Sequence, residues 1–282
     1  MLTLDMPKHT ASDTFTTCIS RISNSVLKLR LKAAIQTILD ESKAFENAAK
    51  HHMLHKIIAQ AIVTPDITTE EMKKVYTDRM AKANSPGRSI YDDIIGAAPQ
   101  GRCPLCGQRT VSTLDHVLPK AHYPVLAVTP SNLVPACMDC NKAKLATLPQ
   151  RAEEVALHPY YDDLGRDRWL FAEVIQTHPT ALRYKIIPPV SWDNILTARV
   201  ENHFRSLGLR RFYSSQSAVE LSNIVYQLRR IHYYSGSQEV KKYLIESADS
   251  RENSNTNSWQ TAAYRAWAEN DWFCQGGFGL AD

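Results

Sequence analysis

No apolar run in the 282-residue chain approaches the eighteen or so residues that a membrane-crossing helix needs. No charged-then-apolar leader opens MLTLDMPKHTASDTF either. The expected location is the cytoplasm, with no membrane partner. Internal repeats and long low-complexity tracts are also lacking, and proline is absent between Pro7 and Pro65, which leaves that stretch open to helix. With 44% hydrophobic and 22% charged residues, wholesale disorder is excluded. The length suits one large domain or two modest ones, enough for an enzyme. A net charge of +4 hints at an anionic partner. Its distribution says more: residues 101–151 carry six Lys/Arg against Asp115 and Asp139, and residues 204–242 carry seven against two Glu. Solvated basic faces would give the same counts.

Along the chain, residues 14–62 show helical periodicity, and ITTEEMKKVYTDRMAK begins a helix capped by Thr68 or Thr69 that Ser85-Pro86-Gly87 stops. RSIYDDIIGAA is a further short helix. No chemistry is assigned to these N-terminal helices. From Arg102 the texture changes to Cys pairs, Pro and short β-like runs. WLFAEVIQ and ALRYKIIP read as strands separated by THPT. Helical pattern returns in NILTARVENHFRSLG, ending at Gly208, then in SAVELSNIVYQLRRIHYY, QEVKKYLIESA and WQTAAYRAWAENDWF, and the tail QGGFGLAD is expected to be loose.

Four of the six cysteines form C-P-L-C-G (Cys103, Cys106) and C-M-D-C-N (Cys137, Cys140), with thirty residues between the pairs. Each i, i+3 turn presents two sulfurs to one point and Gly107 relieves the first turn, so the pattern predicts a structural Zn2+. A redox pair would need only one Cys-x-x-Cys and a thioredoxin-like context, and an intracellular chain does not keep disulfides. Cys18 and Cys274 have no partner at ligand spacing and read as buried or spectator thiols.

The zinc would close a loop that contains Asp115-His116 after RTVSTL, then Asn132 in S-N-L-V-P, with Asn141 directly after the last Cys and Lys144 one turn further on. Asn132 and Asn141 are nine apart. This stretch of about fifty residues resembles the HNH nucleases, whose ββα-metal motif runs Cys-x-x-Cys, strand, Asp-His, a loop with Asn, strand, Cys-x-x-Cys-His, helix. Asn141 replaces the final His, as in some family members, including the HNH domains of CRISPR effector nucleases.

The resemblance and the residue types together define the expected site. His116, with an ordinary pKa near 6.5, suits a base that takes a proton from water. Asp115 and Asn141 make a hard-oxygen pair for a catalytic Mg2+ or Mn2+. Asn132 would hold His116 in position without touching substrate. Lys144, Lys142 and Lys120 would meet backbone phosphates without reading sequence. The family's roles imply a departing 3′-hydroxyl and a 5′-phosphate product. Blander readings stand beside these: Asp115-His116 as structural, Asn132 as an Asx turn, Asn141 as a helix N-cap. His122 is either loop surface or site lining, His158 either a packed turn histidine or site lining. His51, His52 and His55 read as the polar face of a helix rather than a metal site.

FRSLGLRRFYSSQ offers Phe204, Phe212 and Tyr213 either as stacking partners for bases or as core aromatics. A looser resemblance, carried by Asn-Leu-Val-Pro-Ala-Cys and His-Pro-Tyr-x-Asp, is to PtuB-like effectors of Septu and retron-associated anti-phage systems, and implies an ATPase partner. The expected fold is α+β, mostly α-helical, with a helical region over 1–98, a zinc-stabilised ββα-metal core over 99–150, a short β extension over 151–190 and a helical region over 191–282. The expected function is metal-dependent cleavage of nucleic acid, most of all DNA. The alternatives are a zinc-stabilised module that binds nucleic acid or a partner without catalysis, and an RNA-cleaving nuclease.

Overall fold

The computed structural model of the chain describes residues 1–60, 62–144 and 148–280. It is a mostly helical α+β fold with three two-stranded antiparallel sheets. Packing divides it into two units: unit 1 is residues 1–163 with 198–203, and unit 2 is residues 164–197 with 204–282. No helix among the described residues is long and apolar enough to cross a membrane.

Unit 1 begins with three helices, α1 (Ala11–Ile19), α2 (Ser25–Ala33) and α3 (Ile35–Lys50). The Thr10 hydroxyl accepts from Asp13 N and Asn24 Oδ1 accepts from Leu27 N, so local polar side chains start the first two helices. The expectation of helix through residue 62 is corrected: α3 ends at Lys50, His52 has φ of 58°, and Ile62–Thr64 (β1) pairs with Ile67–Thr68 (β2). The next helix, α4 (Thr69–Tyr76), settles the choice of cap. The Thr68 hydroxyl accepts from Glu71 N at 3.2 Å and Glu71 Oε2 accepts from Thr68 N at 3.0 Å. A π-helical turn (Thr77–Ala81) follows, then α5 (Arg88–Gly96). Phe15, Ile38, Phe45 and Met72 share one core with Leu133 and Val134 of the central hairpin, all at most 1% exposed.

That hairpin pairs β3 (Thr113–His116) with β4 (Leu133–Ala136), in register Asp115↔Val134 and His116↔Leu133, and leads into α6 (Met138–Lys144). The connection between the strands is not a loose loop: Val125 to Asn132 are all buried. Ser42 of α3 bonds Thr129 at 2.8 Å and Ser131 donates to Glu46 at 3.0 Å, fastening it to α3. After α6, the HPYYDD turn packs back on the strands. Asp162 Oδ2 accepts from His158 N at 2.6 Å, and Tyr160 Oη donates to Leu133 O at 2.9 Å. Asp162 is also gripped by both Arg199 amines, at 2.8 and 2.6 Å, with both side chains at most 3% exposed. A planar guanidinium can serve two carboxylate oxygens at once, which compensates the burial of both charges.

Unit 2 contains a hairpin of β5 (Leu170–Ile175) and β6 (Ala181–Ile186). Leu182 and Tyr184 point to one buried face of β6, at the period of two that its sequence shows. The helix α7 (Asn194–Ser206) carries residues of both units. It precedes α8 (Leu209–Ser254), α9 (Trp259–Glu269) and α10 (Asp271–Cys274). Straight, α8 would place Glu220 and Arg251 about 46 Å apart, yet they form an ion pair at 3.2 Å. The bend is at Gly236, whose φ of 81° and ψ of −179° are foreign to a helix and open to glycine. So α8 is two antiparallel arms, 209–235 and 237–254, matching the break expected between IHYY and QEV. Tyr264 of α9 closes the pair, donating to Glu220 at 2.7 Å beneath the Arg251 guanidinium.

Unit 2 decides one open choice and overturns one expectation. Of the two readings of the basic aromatic stretch, the core one holds for Phe204 and Tyr213, which are 2% and 5% exposed and edge-on to each other and to Trp169 and Tyr184. The tail is not loose over its described part: 277–280 forms a 3-10 turn in which Phe278, 2% exposed, packs on Phe273.

Candidate metal centre and cleft

The four cysteines of the two knuckles converge. All of Cys103, Cys106, Cys137 and Cys140 are buried, and their sulfurs lie within 4.8 Å of one another. Tetrahedral Zn2+ with Zn–S near 2.3 Å sets sulfurs about 3.8 Å apart, so the donor set fits that ion. Backbone amides support the sulfurs: Arg109 N donates to Cys106 and Cys140 N to Cys137, each at 3.4 Å. Gly107 takes φ of 66°, which lets its N–H return to Cys103 O at 2.7 Å and close the first knuckle. Arg109 and Asp139 tie the knuckles together at 2.8 Å. The other two thiols lie in the cores, and burial pushes Cys18 up to about 12 and raises Cys274.

Asp115 and His116 are the last two residues of β3, each 7% exposed. Alternation along a strand would part them, but the strand ends here and both line one cleft of about 330 Å3. Lys73, Tyr76, Pro119, Lys120 and Asn141 line it with them. His116 Nε2 lies 2.9 Å from Ala127 O in the buried connection. Its ring meets Tyr76 edge-on at 4.5 Å, and Lys120 Nζ lies 4.9 Å over the other ring. Burial, aided by the charge of Lys120, pushes the imidazole down to about 3. Burial and neighbouring Lys73 likewise lower Lys120, while burial raises the Tyr76 hydroxyl.

Asn132 is fully buried and bonds across the connection. Oδ1 accepts from Leu118 N at 2.7 Å, while Nδ2 donates to Leu118 O at 3.1 Å and Leu126 O at 3.3 Å. This is a bridge over fourteen residues, not a local Asx turn. Asn141 is not a helix cap, because α6 begins at Met138 and Asn141 N donates to Cys137 O inside the first turn. Lys144 turns inward: Nζ lies 2.7 Å from Asp115 Oδ2 and 2.6 Å from His116 O. The Asp115 carboxylate thus already faces a cation; it and the Asn141 amide, which lines the same cleft, are oxygen donors of the type that could hold a hard divalent ion. Lys142 is exposed on α6 and does not line the cleft.

His122 and His158 also lie outside the cleft lining. His158 is 2% exposed, edge-on to Tyr161 at 4.7 Å, and burial pushes it down to about 3. His51, His52 and His55 do not form the polar face of a helix, because α3 ends at Lys50 and all three lie beyond it; His52 Nδ1 approaches Asp162 at 3.1 Å. Sequence reasoning missed Lys73 and Tyr76. The N-terminal helices, assigned no chemistry, do supply a wall of the cleft through α4. The only signal was an i, i+3 pair in EEMKKVY, which any amphipathic helix can show.

Strand, buried connection, strand, helix and a four-cysteine knuckle with polar groups gathered at the strand end define a ββα-metal unit, and residues 103–146 match the HNH endonuclease family. Of the matched residues, 145 and 146 lie outside the described residues. Over nearly its whole length the chain is similar to Protein ea31 of Escherichia phage lambda: 26% identical over 298 residues, covering 98% of this chain and 100% of that one. No solved structure matches.

Proposed function

We propose that the protein is a metal-dependent endonuclease that hydrolyses phosphodiester bonds of DNA. The observation that carries this reading is the convergence of Asp115, His116 and Asn141 on one cleft beside the cysteine cluster. A carbonyl oxygen can only accept, so the contact with Ala127 O holds the His116 proton on Nε2 and leaves Nδ1 as the basic nitrogen. Burial keeps the ring neutral near pH 7 and so able to accept a proton, but the same burial and the charge of Lys120 make it a weak base in the empty cleft, which a bound phosphate anion would strengthen. Asp115 and Asn141 would hold Mg2+ or Mn2+, which when bound supplies charge neutralisation at the phosphate and the departing 3′ oxygen. Asn132 braces the backbone at Leu118 and Leu126, next to the carbonyl that orients His116. Lys120 and Lys144 bring positive charge to the cleft, and Lys142 offers it outside.

Supercoiled plasmid with Mg2+ or Mn2+ tests this. The wild type should nick it and His116→Ala should be slower by about 10²–10⁴-fold, with zinc content unchanged. One observation favours a second reading, a zinc-stabilised binding module without catalysis: Asp115 is already paired with Lys144. An inert wild type would decide for it. Labelled duplex, single strands and tRNA separate DNA from RNA cleavage. The looser resemblance adds an anti-phage role controlled by an ATPase partner, which phage plating with and without His116→Ala examines.

A further inference from the structure

The basic stretch 204–242 contributes nothing to the cleft, yet its far end has a distinctive surface. On the first arm of α8, Leu221 and Leu228 face the core at 2% and 0% exposure. The opposite side carries Tyr226, Arg230 and Tyr234 at four-residue steps, which on a helix share one face. With Gln227, Ile231 and Ser235 they line a shallow groove of about 510 Å3. Tyr226 is 70% and Tyr234 75% exposed, and Tyr233, 82% exposed, meets Tyr234 edge-on at 4.9 Å. Three open aromatic rings on one hairpin tip are more than scattered surface apolarity.

The charge around them selects the occupant. Arm 209–235 holds one carboxylate, Glu220, and it is committed to Arg251 and Tyr264. Near the bend Lys241 pairs with Asp271 at 3.2 Å and Lys242 with Glu239 at 3.8 Å, while Arg230 sits between the two tyrosines with no carboxylate on its own arm except the committed Glu220. A two-fold contact with a second copy would bring Arg230 toward its own counterpart, so self-association is disfavoured. A polyanion with flat faces fits: the two tyrosines lie about 12 Å apart along the axis with a guanidinium midway, room for one phosphate between two stacked rings. Duplex bases are already stacked on each other, so the free faces belong to an unpaired strand.

We propose that the Tyr226–Arg230–Tyr234 face binds an unpaired segment of the DNA substrate, with bases stacking on the tyrosines and a phosphate on the guanidinium. This rests on the nuclease reading for the identity of the substrate. Fluorescence anisotropy tests it with the full, zinc-loaded chain carrying His116→Ala, without added divalent ion, against labelled oligothymidylate, a duplex and oligouridylate of equal length. Adding Tyr226→Ala and Tyr234→Ala together should weaken oligothymidylate binding by about 30-fold or more and leave duplex binding within about twofold. The two Phe substitutions should keep the affinity, and Arg230→Gln should reduce the salt slope for the single strand by about 0.7. Unchanged oligothymidylate affinity in the double Ala variant overturns the proposal. So does tighter binding of oligouridylate, or a wild-type dimer that the double variant dissociates. Plasmid nicking by the wild type with strand affinity unchanged in the double variant would remove this proposal and leave the nuclease. Tyrosine-dependent strand binding without any nicking would do the reverse.

Discussion

Unit 1 holds the four-cysteine cluster and no tryptophan, while unit 2 holds all five tryptophans (169, 192, 259, 267 and 272) and, among its described residues, no metal-ligating cluster. The two solve one problem differently. In unit 1 the hairpin that carries Asp115 and His116 shares its apolar core with α1, α3 and α4, and the cysteine donor set can add coordinate bonds at the start of α6. Unit 2 keeps its β-hairpin with aromatic packing: Trp169 against Phe204, Trp267 stacked on Phe273 at 5.7 Å. Buried polar groups gather near the thiol cluster in unit 1, and tryptophan packing is confined to unit 2.

The largest test of this contrast is removal of zinc. Cys137→Ser, or stripping with a thiol-competent chelator, removes a contribution of about 10 kcal/mol or more. Amide-exchange protection across 103–144 should collapse. Tryptophan emission, which reports unit 2 alone, should keep its maximum; a red shift on chelation would break the comparison. The converse is Trp267→Ala, at 1% exposure. It should lower the urea stability of unit 2 by about 3–5 kcal/mol, with zinc still bound at one per chain.

Acid should also divide the units. His116, His158 and His203, the buried histidines, all lie in unit 1, and burial pushes each down to about 3. For His158 the folded value lies below the unfolded one near 6.5. Its neutral form therefore contributes stability that is complete above pH 6.5 and is lost as pH falls toward 3. The loss runs at about 1.4 kcal/mol per pH unit. Between pH 7 and 5, exchange-derived stability of unit 1 should fall more steeply in wild type than in His158→Gln; equal slopes would assign the acid response elsewhere. The smallest effect concerns Lys144. Replacing it with Met removes a positive charge 2.7 Å from Asp115 and should tighten Mn2+ binding at the cleft by about tenfold, read by calorimetry on zinc-loaded protein. Unchanged affinity would mean that the ammonium and the ion do not compete.

The cysteine knuckles, the Asp115-His116 pair and the nine-residue step from Asn132 to Asn141 were legible because ligand chemistry fixes spacing within one short stretch. The two arms of α8 read as separate helical runs, while the reversal at Gly236 that makes them antiparallel did not show in the periodicity. Tyr76 and Lys73 were not: they reach the cleft from a helix about forty residues upstream, and no local pattern separates a wall of a site from an ordinary polar face. Phe204 and Tyr213 sit in a basic stretch yet point inward because Trp169 and Tyr184 are there to meet them. The short pairing of β1 with β2 lay between two runs that read as helix, and two or three residues carry too little periodicity to show it.

The edge-on contact of Tyr76 with His116 has a practical consequence. Motif boundaries and cleft boundaries do not coincide in this chain, so a cassette cut at 103 and 146 and grafted onto a foreign scaffold would carry Asp115, His116 and Asn141 and leave behind the ring that shields the imidazole from bulk solvent. Transplantation would need the segment from Thr68 onward, and a chimera engineer should count the upstream helix as part of the blade rather than the handle.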